Sequence, residues 1–150
     1  MRSRFWNGSA KIRGISGKKE KTIFDMEEND ISFKIRGCIF IVYNSLGPGL
    51  LESVYEAALA YELMKEDLIV ETQVSIPVVY NEIKLDLGFR ADLIVEKKVI
   101  IEIKSVENIA EVHHKQVLTY LKLTGIKLGL LVNFNTDDIS HSIFRKVNGL

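Results

Sequence analysis

The sequence predicts an α/β domain (α/β or α+β) with a mixed sheet, and three observations lead there. Two early stretches place apolar residues at helical spacing. From Leu68 the pattern switches to β-branched alternation, and it holds through the charged hairpin that ends at Lys104. A third helical stretch then precedes an apolar run of the kind a buried, parallel-type strand carries. The expected order is α-α-β-β-β-β-α-β, with no internal repeat and no low-complexity tract.

Taken in order, residues 1–25 are rich in Arg, Lys, Gly and Ser, show no period, and read as a poorly ordered basic leader. Residues 26–150 are expected to form a single domain, and Met26 makes a natural start for it. Asp30 reads as an N-cap before Ile31, Ile35, Cys38, Ile39 and Val42, a helix ending near Asn44 or Ser45. Leu46-Gly47-Pro48-Gly49 breaks the chain. A second helix from about Leu50 to Glu66 buries Leu51, Val54, Tyr55, Ala58, Leu59 and Leu63. Strand character follows from Ile69 to Tyr80, with Pro77 marking an edge or a bulge. Asn81-Glu82 is a turn, Ile83 to Leu87 a short strand, and the run from Phe89 to Lys104 a hairpin. The third helix spans Val112 to Leu123 and stops at Gly125. Lys127 to Phe134 is the apolar strand, and Asp137 to Val147 carries no readable period.

The 150 residues suffice for one domain with a real core. Lys+Arg and Asp+Glu are equal at 20 each, so no global field draws in a polyanion. The single cysteine, Cys38, excludes an intrachain disulfide and a thiolate zinc site; on a helical apolar stripe it reads as a small core residue. No run is long enough to cross a membrane and no secretory signal core is visible, so a cytoplasmic protein is expected.

Chemistry concentrates in the hairpin. Asp92 interrupts its first apolar run, and Glu102 and Lys104 interrupt the second. A charge buried in a strand costs several kcal/mol unless it is paired or holds a metal. Glu102 and Lys104 share a face, opposite Ile101 and Ile103. A three-residue loop at Glu96–Lys98 would set Asp92 opposite Glu102, whereas a two-residue loop would turn it to the wrong side. With the odd loop, two carboxylates and an ammonium converge. Asp92, Glu102 and the Ile103 carbonyl then supply hard oxygens for a Mg2+-type ion, and Lys104 stands ready to orient a water. The plainer alternative is a cross-strand salt bridge of Asp92 or Glu102 with Lys104 on a solvated face.

Elsewhere, Gln116 and Tyr120 share a face on the helix after the hairpin, and Glu52 opens the second helix just past Gly49. Arg90, two residues before Asp92, is a candidate for touching phosphate. His113 and His114 read as helix-start polar residues, with His114 a weaker metal candidate, and His141 has no companion motif.

Gly49-Leu50-Leu51-Glu52-Ser53-Val54-Tyr55 matches G-x-x-E-x-x-Y, and with Asp92, Glu102-Ile103-Lys104 and Gln116-Val117-Leu118-Thr119-Tyr120 the chain resembles the GxxExxY protein family. That family is counted in the PD-(D/E)XK nuclease superfamily, near the RecB-like branch whose helix carries Q-x-x-x-Y. The likeness runs from about Asp30 to Gly149 and omits the leader. It departs from the superfamily label in having Ala91 where a proline often precedes Asp92.

The resemblance implies a restriction-endonuclease-like core, a central mixed sheet flanked by helices. It also implies a Mg2+- or Mn2+-dependent nuclease with DNA as the expected substrate. Glu52, Asp92 and Glu102 would hold the metal with the Ile103 carbonyl, and Lys104 would be the catalytic lysine. Gln116 and Tyr120 would complete the site, and Tyr55 joins Arg90 as a candidate phosphate contact. Asp92 and Glu102 must then approach one ion, which demands an odd loop or a bulge. A homodimer or protein partner is compatible with a core this small. The competing expectations are a catalytically silent nucleic-acid-binding or protein-interaction module on the same fold, and a hydrolase of another phosphate.

Overall fold

Residues 25–150 are described by a computed structural model; apart from Asp25, the leader expected over residues 1–25 lies outside them. The first helical stripe becomes α1 (Glu28–Leu46), which buries Ile31, Ile35, Cys38, Ile39 and Val42 as its spacing requires. Asp30 is not its N-cap. It lies in the first turn, where Glu28 and Asp30 favour the positive end of the helix dipole, and Glu27 holds the cap position without a side-chain bond. The helix stops at Gly47, whose φ of 68° lets its N–H reach the Tyr43 carbonyl at 2.8 Å.

The second helix, α2 (Glu52–Lys65), begins later than its apolar pattern implies. Leu51 precedes it and is 75% exposed, and Val54 is 41% exposed; the stripe that packs is Tyr55, Leu59, Ala60 and Leu63. The strand expected over 69–80 divides at Ile76-Pro77 into β1 (Val70–Ser75) and β2 (Val78–Tyr80). Pro77 has no N–H to give a ladder, which suits a break beside an edge strand, and β1 is such an edge. β3 (Ile83–Leu85) pairs only with β2, as a separate two-stranded ribbon.

β4 (Arg90–Val95) and β5 (Val99–Lys104) follow, then α3 (Glu111–Thr124) and β6 (Leu128–Asn133). The tail resolves into a 3-10 turn at Ile139–His141 and β7 (Ile143–Val147). The mixed five-stranded sheet has the order β1-β4-β5-β6-β7. Its one parallel pair is β5–β6, joined through α3; the other neighbours are antiparallel. α1 and α2 cover one face, over Leu93, Val95, Val99, Ile101 and Ile103. α3 covers the other, over Ile94, Ile100 and Leu131. Gly129 sets that second layer's spacing: a Cβ there would meet Val117 Cγ1 at 2.7 Å, so a side chain would push α3 off the sheet. None of the helices among the described residues is long and apolar enough to cross a membrane.

Candidate functional site

The β4–β5 turn decides what the hairpin can do. Leu93 pairs with Ile101, Ile94 with Ile100 and Val95 with Val99, leaving Glu96–Lys98 as a three-residue connection. Glu96 and Lys97 take φ of 54° and 56°, and the Lys98 N–H donates to the Val95 carbonyl at 2.9 Å. This is the odd loop, and its register sets Asp92 across from Glu102.

The ladder stops there, because each carboxylate replaces a strand–strand bond. The Asp92 N–H donates to Glu102 Oε2 at 2.9 Å, and the Ile103 N–H donates to Asp92 Oδ2 at 2.8 Å. The β1–β4 ladder is broken at the same level. Its pairs flank Gln73 and Asp92, and Gln73 has a φ of 51°. β4 changes face here: Ala91 and Ile94 join the α3-side core, while Leu93 and Val95 join the other. Asp92 therefore lies in a gap between splayed strands. Because a strand residue sends its N–H and C=O to the same side, the Ile103 carbonyl also faces that gap.

Glu102 is 3% exposed. Burial, and then the Asp92 charge, push its carboxyl up to about 8, against the Asp92 N–H and the Lys104 charge. Asp92 is raised for the same first reason, opposed by the Ile103 N–H, Gln73 and Lys104. Lys104, half-buried at the end of β5, draws both carboxyls down. Yet among the described residues it forms no ion pair within 4.0 Å, and the solvated salt bridge that the sequence left open is not formed. Glu102 Oε1 has no hydrogen-bond partner among the described residues, and it is not sealed from solvent.

Two side chains the sequence reading passed over, one acid and one amide, border this gap. Glu56 on α2 is raised by burial and by the Asp92 charge, and its Oε1 accepts from Gln73 Nε2 at 2.8 Å. The same Gln73 nitrogen lies 3.3 Å from Asp92 Oδ1. Glu56 stands four residues after Glu52, a spacing that sets both on one helix face and was a usable signal. Nothing in the sequence marks Gln73, whose role follows from its left-handed backbone.

Glu52 is exposed at the start of α2 and accepts from the Ser105 N–H at 3.1 Å, while Ser105 Oγ donates to the Leu50 carbonyl at 2.6 Å. These bonds tie the Gly49 loop to the end of β5, near enough for the Glu52 charge to raise Asp92. Tyr55 is a correction. It is fully buried, stacks on Phe134 at 4.3 Å, donates to the Gly47 carbonyl at 2.5 Å and accepts from the Leu50 N–H at 3.1 Å. With its hydroxyl spent on the loop, it shapes the segment that carries Glu52 and has nothing left for a phosphate.

Gln116 Nε2 donates to the Tyr120 hydroxyl at 3.0 Å. Tyr120 is buried, and burial and then the Glu102 charge raise its phenol, so the pair borders the gap from the α3 side. Arg90 is exposed at the start of β4; the change of face at Asp92 means that a shared face for the two does not follow from alternation. His113 Nδ1 accepts from the Ala110 N–H at 3.0 Å and caps α3. His114 lies edge-on to Phe144 at 5.1 Å and does not join the carboxylates, and exposed His141 pairs with Asp138.

A buried and a half-buried carboxylate, with hard oxygens and no ion pair among the described residues, fit a divalent ion, which would favour their charged forms against the desolvation that opposes them. Among the described residues, no three His, Cys, Asp or Glu side chains form a ready-made cage. Asp92, Glu102 and the Ile103 carbonyl are the oxygens that could hold such an ion. This suits an ion of the Mg2+ type, which keeps several waters.

A family model described as the PD-(D/E)XK nuclease superfamily matches residues 29–146. Among solved structures, “Crystal structure of SSO0001” superposes with a TM-score of 0.51 at 24% identity, covering 90% of this chain and 71% of the other, a likeness of fold. No curated protein matches the chain.

Proposed function

Because the chain belongs to the PD-(D/E)XK nuclease superfamily, whose members are in general metal-dependent nucleases, we propose that it hydrolyses phosphodiester bonds in nucleic acid, with DNA as substrate and Mg2+ or Mn2+ as cofactor. The observation that carries this reading is the pair Asp92 and Glu102, set in one gap by the odd hairpin loop, with Glu102 3% exposed and no cation in contact. Buried acids of that kind are retained for function more readily than for stability.

In this reading Asp92, Glu102 and the Ile103 carbonyl would hold the ion, and Glu52 would support it through water. A bound divalent ion supplies an activated water and offsets charge on the phosphate. Lys104, without a direct ion pair among the described residues, would orient a water and stabilise the developing oxyanion. Tyr120, held by Gln116, fixes the substrate side of the gap, and Arg90 contacts phosphate outside it. Gln73 bridges Glu56 and Asp92 by donating toward both.

We further assign the chain to the GxxExxY branch on Gly49, Glu52 and Tyr55, treat residues 26–150 as one catalytic domain, and place the protein in the reducing cytoplasm that its lone buried thiol suits. The test is cleavage of single- and double-stranded DNA and RNA with Mg2+ or Mn2+, comparing wild type with Glu102→Ala and Lys104→Ala. Loss of activity in both variants is expected. Full retention in both sinks the assignment, and a wild type that binds nucleic acid yet never cleaves it identifies the silent-module alternative.

A further inference from the structure

Past Arg90 and Ser75, where the main sheet ends, the β1–β4 pair continues as the β2–β3 ribbon and forms an arm from Ile76 to Phe89. The arm is anchored at its base, where the Ile76 N–H donates to the Phe89 carbonyl at 2.8 Å and Ser75 Oγ to Asp86 at 3.0 Å. Two residues on one side of the base face four on the other, so the ribbon steps out of the sheet's register. Its tip is a turn through Asn81 and Glu82, with φ of 50° and 65°. Its side chains are not those of an ordinary solvated hairpin. Val79 is 67% exposed, Tyr80 64%, Ile83 59% and Leu87 66%. A short apolar edge left bare in this way is normally charged or covered.

The arm is continuous with the gap. Phe89 lies three residues from Asp92, at most about 10 Å along the strand, and its ring sits 6.3 Å from that of Tyr120. A polymer laid across the carboxylates therefore runs onto the arm. Charge then selects which part of the polymer the arm can hold. Within it a single lysine, Lys84, stands against Glu82 and Asp86, so it has no attraction for phosphates. What it offers is apolar and aromatic area, which bases use and a phosphate backbone does not. In an intact duplex those base faces are stacked away.

We propose that this arm binds unpaired bases of the strand lying across the gap, with Tyr80 as a stacking platform, which makes single-stranded or locally opened nucleic acid the substrate class. The assignment rests on the nuclease reading, but its test does not depend on cleavage. Binding of the full chain to a labelled single-stranded DNA oligonucleotide and to its blunt duplex is measured by fluorescence anisotropy in EDTA. The same preparations are examined by light scattering, and cleavage is measured separately with Mn2+. The single strand should bind more tightly than the duplex. Tyr80→Ala should weaken single-strand binding about ten-fold while Tyr80→Phe, which keeps the ring, stays near wild type. Because Tyr80 projects into solvent, circular dichroism of both variants should match wild type.

Equal binding by wild type and Tyr80→Ala, or a preference for duplex, overturns the proposal. A dimer that Tyr80→Ala converts to monomer also overturns it and assigns the arm to self-association. Arm-dependent binding without cleavage by the wild type supports the arm and removes the nuclease reading; cleavage with Tyr80-independent binding does the reverse.

Discussion

Glu102→Gln separates what the buried carboxyl costs from what it does. The substitution keeps the shape and an oxygen for the Asp92 N–H, and removes the charge. The carboxyl rises from 4.5 to about 8 in the folded protein. Between those values the native state keeps a proton that the unfolded chain has released, so stability falls as pH rises through the window and levels off above it. A rise of that size corresponds to at most about 5 kcal/mol at ~1.36 kcal/mol per pKa unit. Part of it comes from the Asp92 charge, and the two acids titrate as a pair, so the expected effect is about 2–3 kcal/mol. At ~2–4 °C per kcal/mol for a chain of this size, Glu102→Gln should melt roughly 4–12 °C above wild type at pH 8 in EDTA, and level with it near pH 4. Mn2+ should reverse the order. At one hundred times its dissociation constant an ion adds about 2.7 kcal/mol to the wild type, and the variant should gain little. Differential scanning fluorimetry across pH, with chelator and with Mn2+, reads all of this. Parallel pH profiles for the two proteins in EDTA would refute the reasoning, since the acid would then not be paying for its burial.

Lys104→Met should lower cleavage by about 10²–10³-fold, as loss of one oxyanion-stabilising group does, yet leave the Mn2+-induced rise in melting temperature close to wild type. Tyr55→Phe removes a hydroxyl that bonds both the Gly47 carbonyl and the Leu50 N–H; it should cost about 1–3 kcal/mol in urea unfolding and leave nucleic-acid affinity in EDTA unchanged. A drop in affinity at constant stability would restore Tyr55 as a phosphate contact. Gly129→Ala pushes a methyl into Val117 and should cost about 1–3 kcal/mol at an unchanged m-value.

Much of the fold was legible because burial is periodic. Ile31, Ile35, Cys38, Ile39 and Val42 are buried on the spacing that marks their helix, and the run from Leu128 to Asn133 is buried throughout, as a central strand should be. The failures lie where backbone geometry departs from a period. Leu51 fits the stripe of α2, but the chain enters the helix only at Glu52, and Val54, inside the helix, lies off the face that packs. Ile69 to Tyr80 reads as one alternating strand, and only the ladder shows that β2 leaves the main sheet at Pro77. The identities at Asp92, Glu102 and Lys104 stood out because charges are rare inside apolar strands. Gln73 and Glu56 did not, because a polar residue on an edge strand or a helix surface is ordinary until, as here, the left-handed φ of Gln73 accompanies a bond between the two.

That left-handed residue also explains how a sheet can hold carboxylates in its own plane. Had both ladders run unbroken past Asp92, its main chain would bond its neighbours and its side chain would stand on one face. Breaking the β4–β5 ladder leaves two N–H groups without strand partners, and the Asp92 and Glu102 carboxylates satisfy them across the gap at 2.8 and 2.9 Å. The acids are thus part of the backbone's own hydrogen bonding, which fixes their oxygens before any ligand arrives. An ionised carboxylate has about four acceptor directions, so one N–H on Glu102, and one N–H plus the Gln73 amide on Asp92, leave capacity over. That capacity is greatest on Glu102 Oε1, which has no partner among the described residues and is not wholly sealed from solvent. Preorganisation of this kind favours a small cation that tolerates few protein oxygens and brings its own water, over a larger one that needs six to eight ligands. The same break ends regular alternation in β4, and beyond it only the pairs Val74–Ala91 and Ser75–Arg90 remain before the chain leaves the sheet as the β2–β3 arm. The acidic gap and the ribbon are thus two separate departures from the ladder, two residue pairs apart on the same strands.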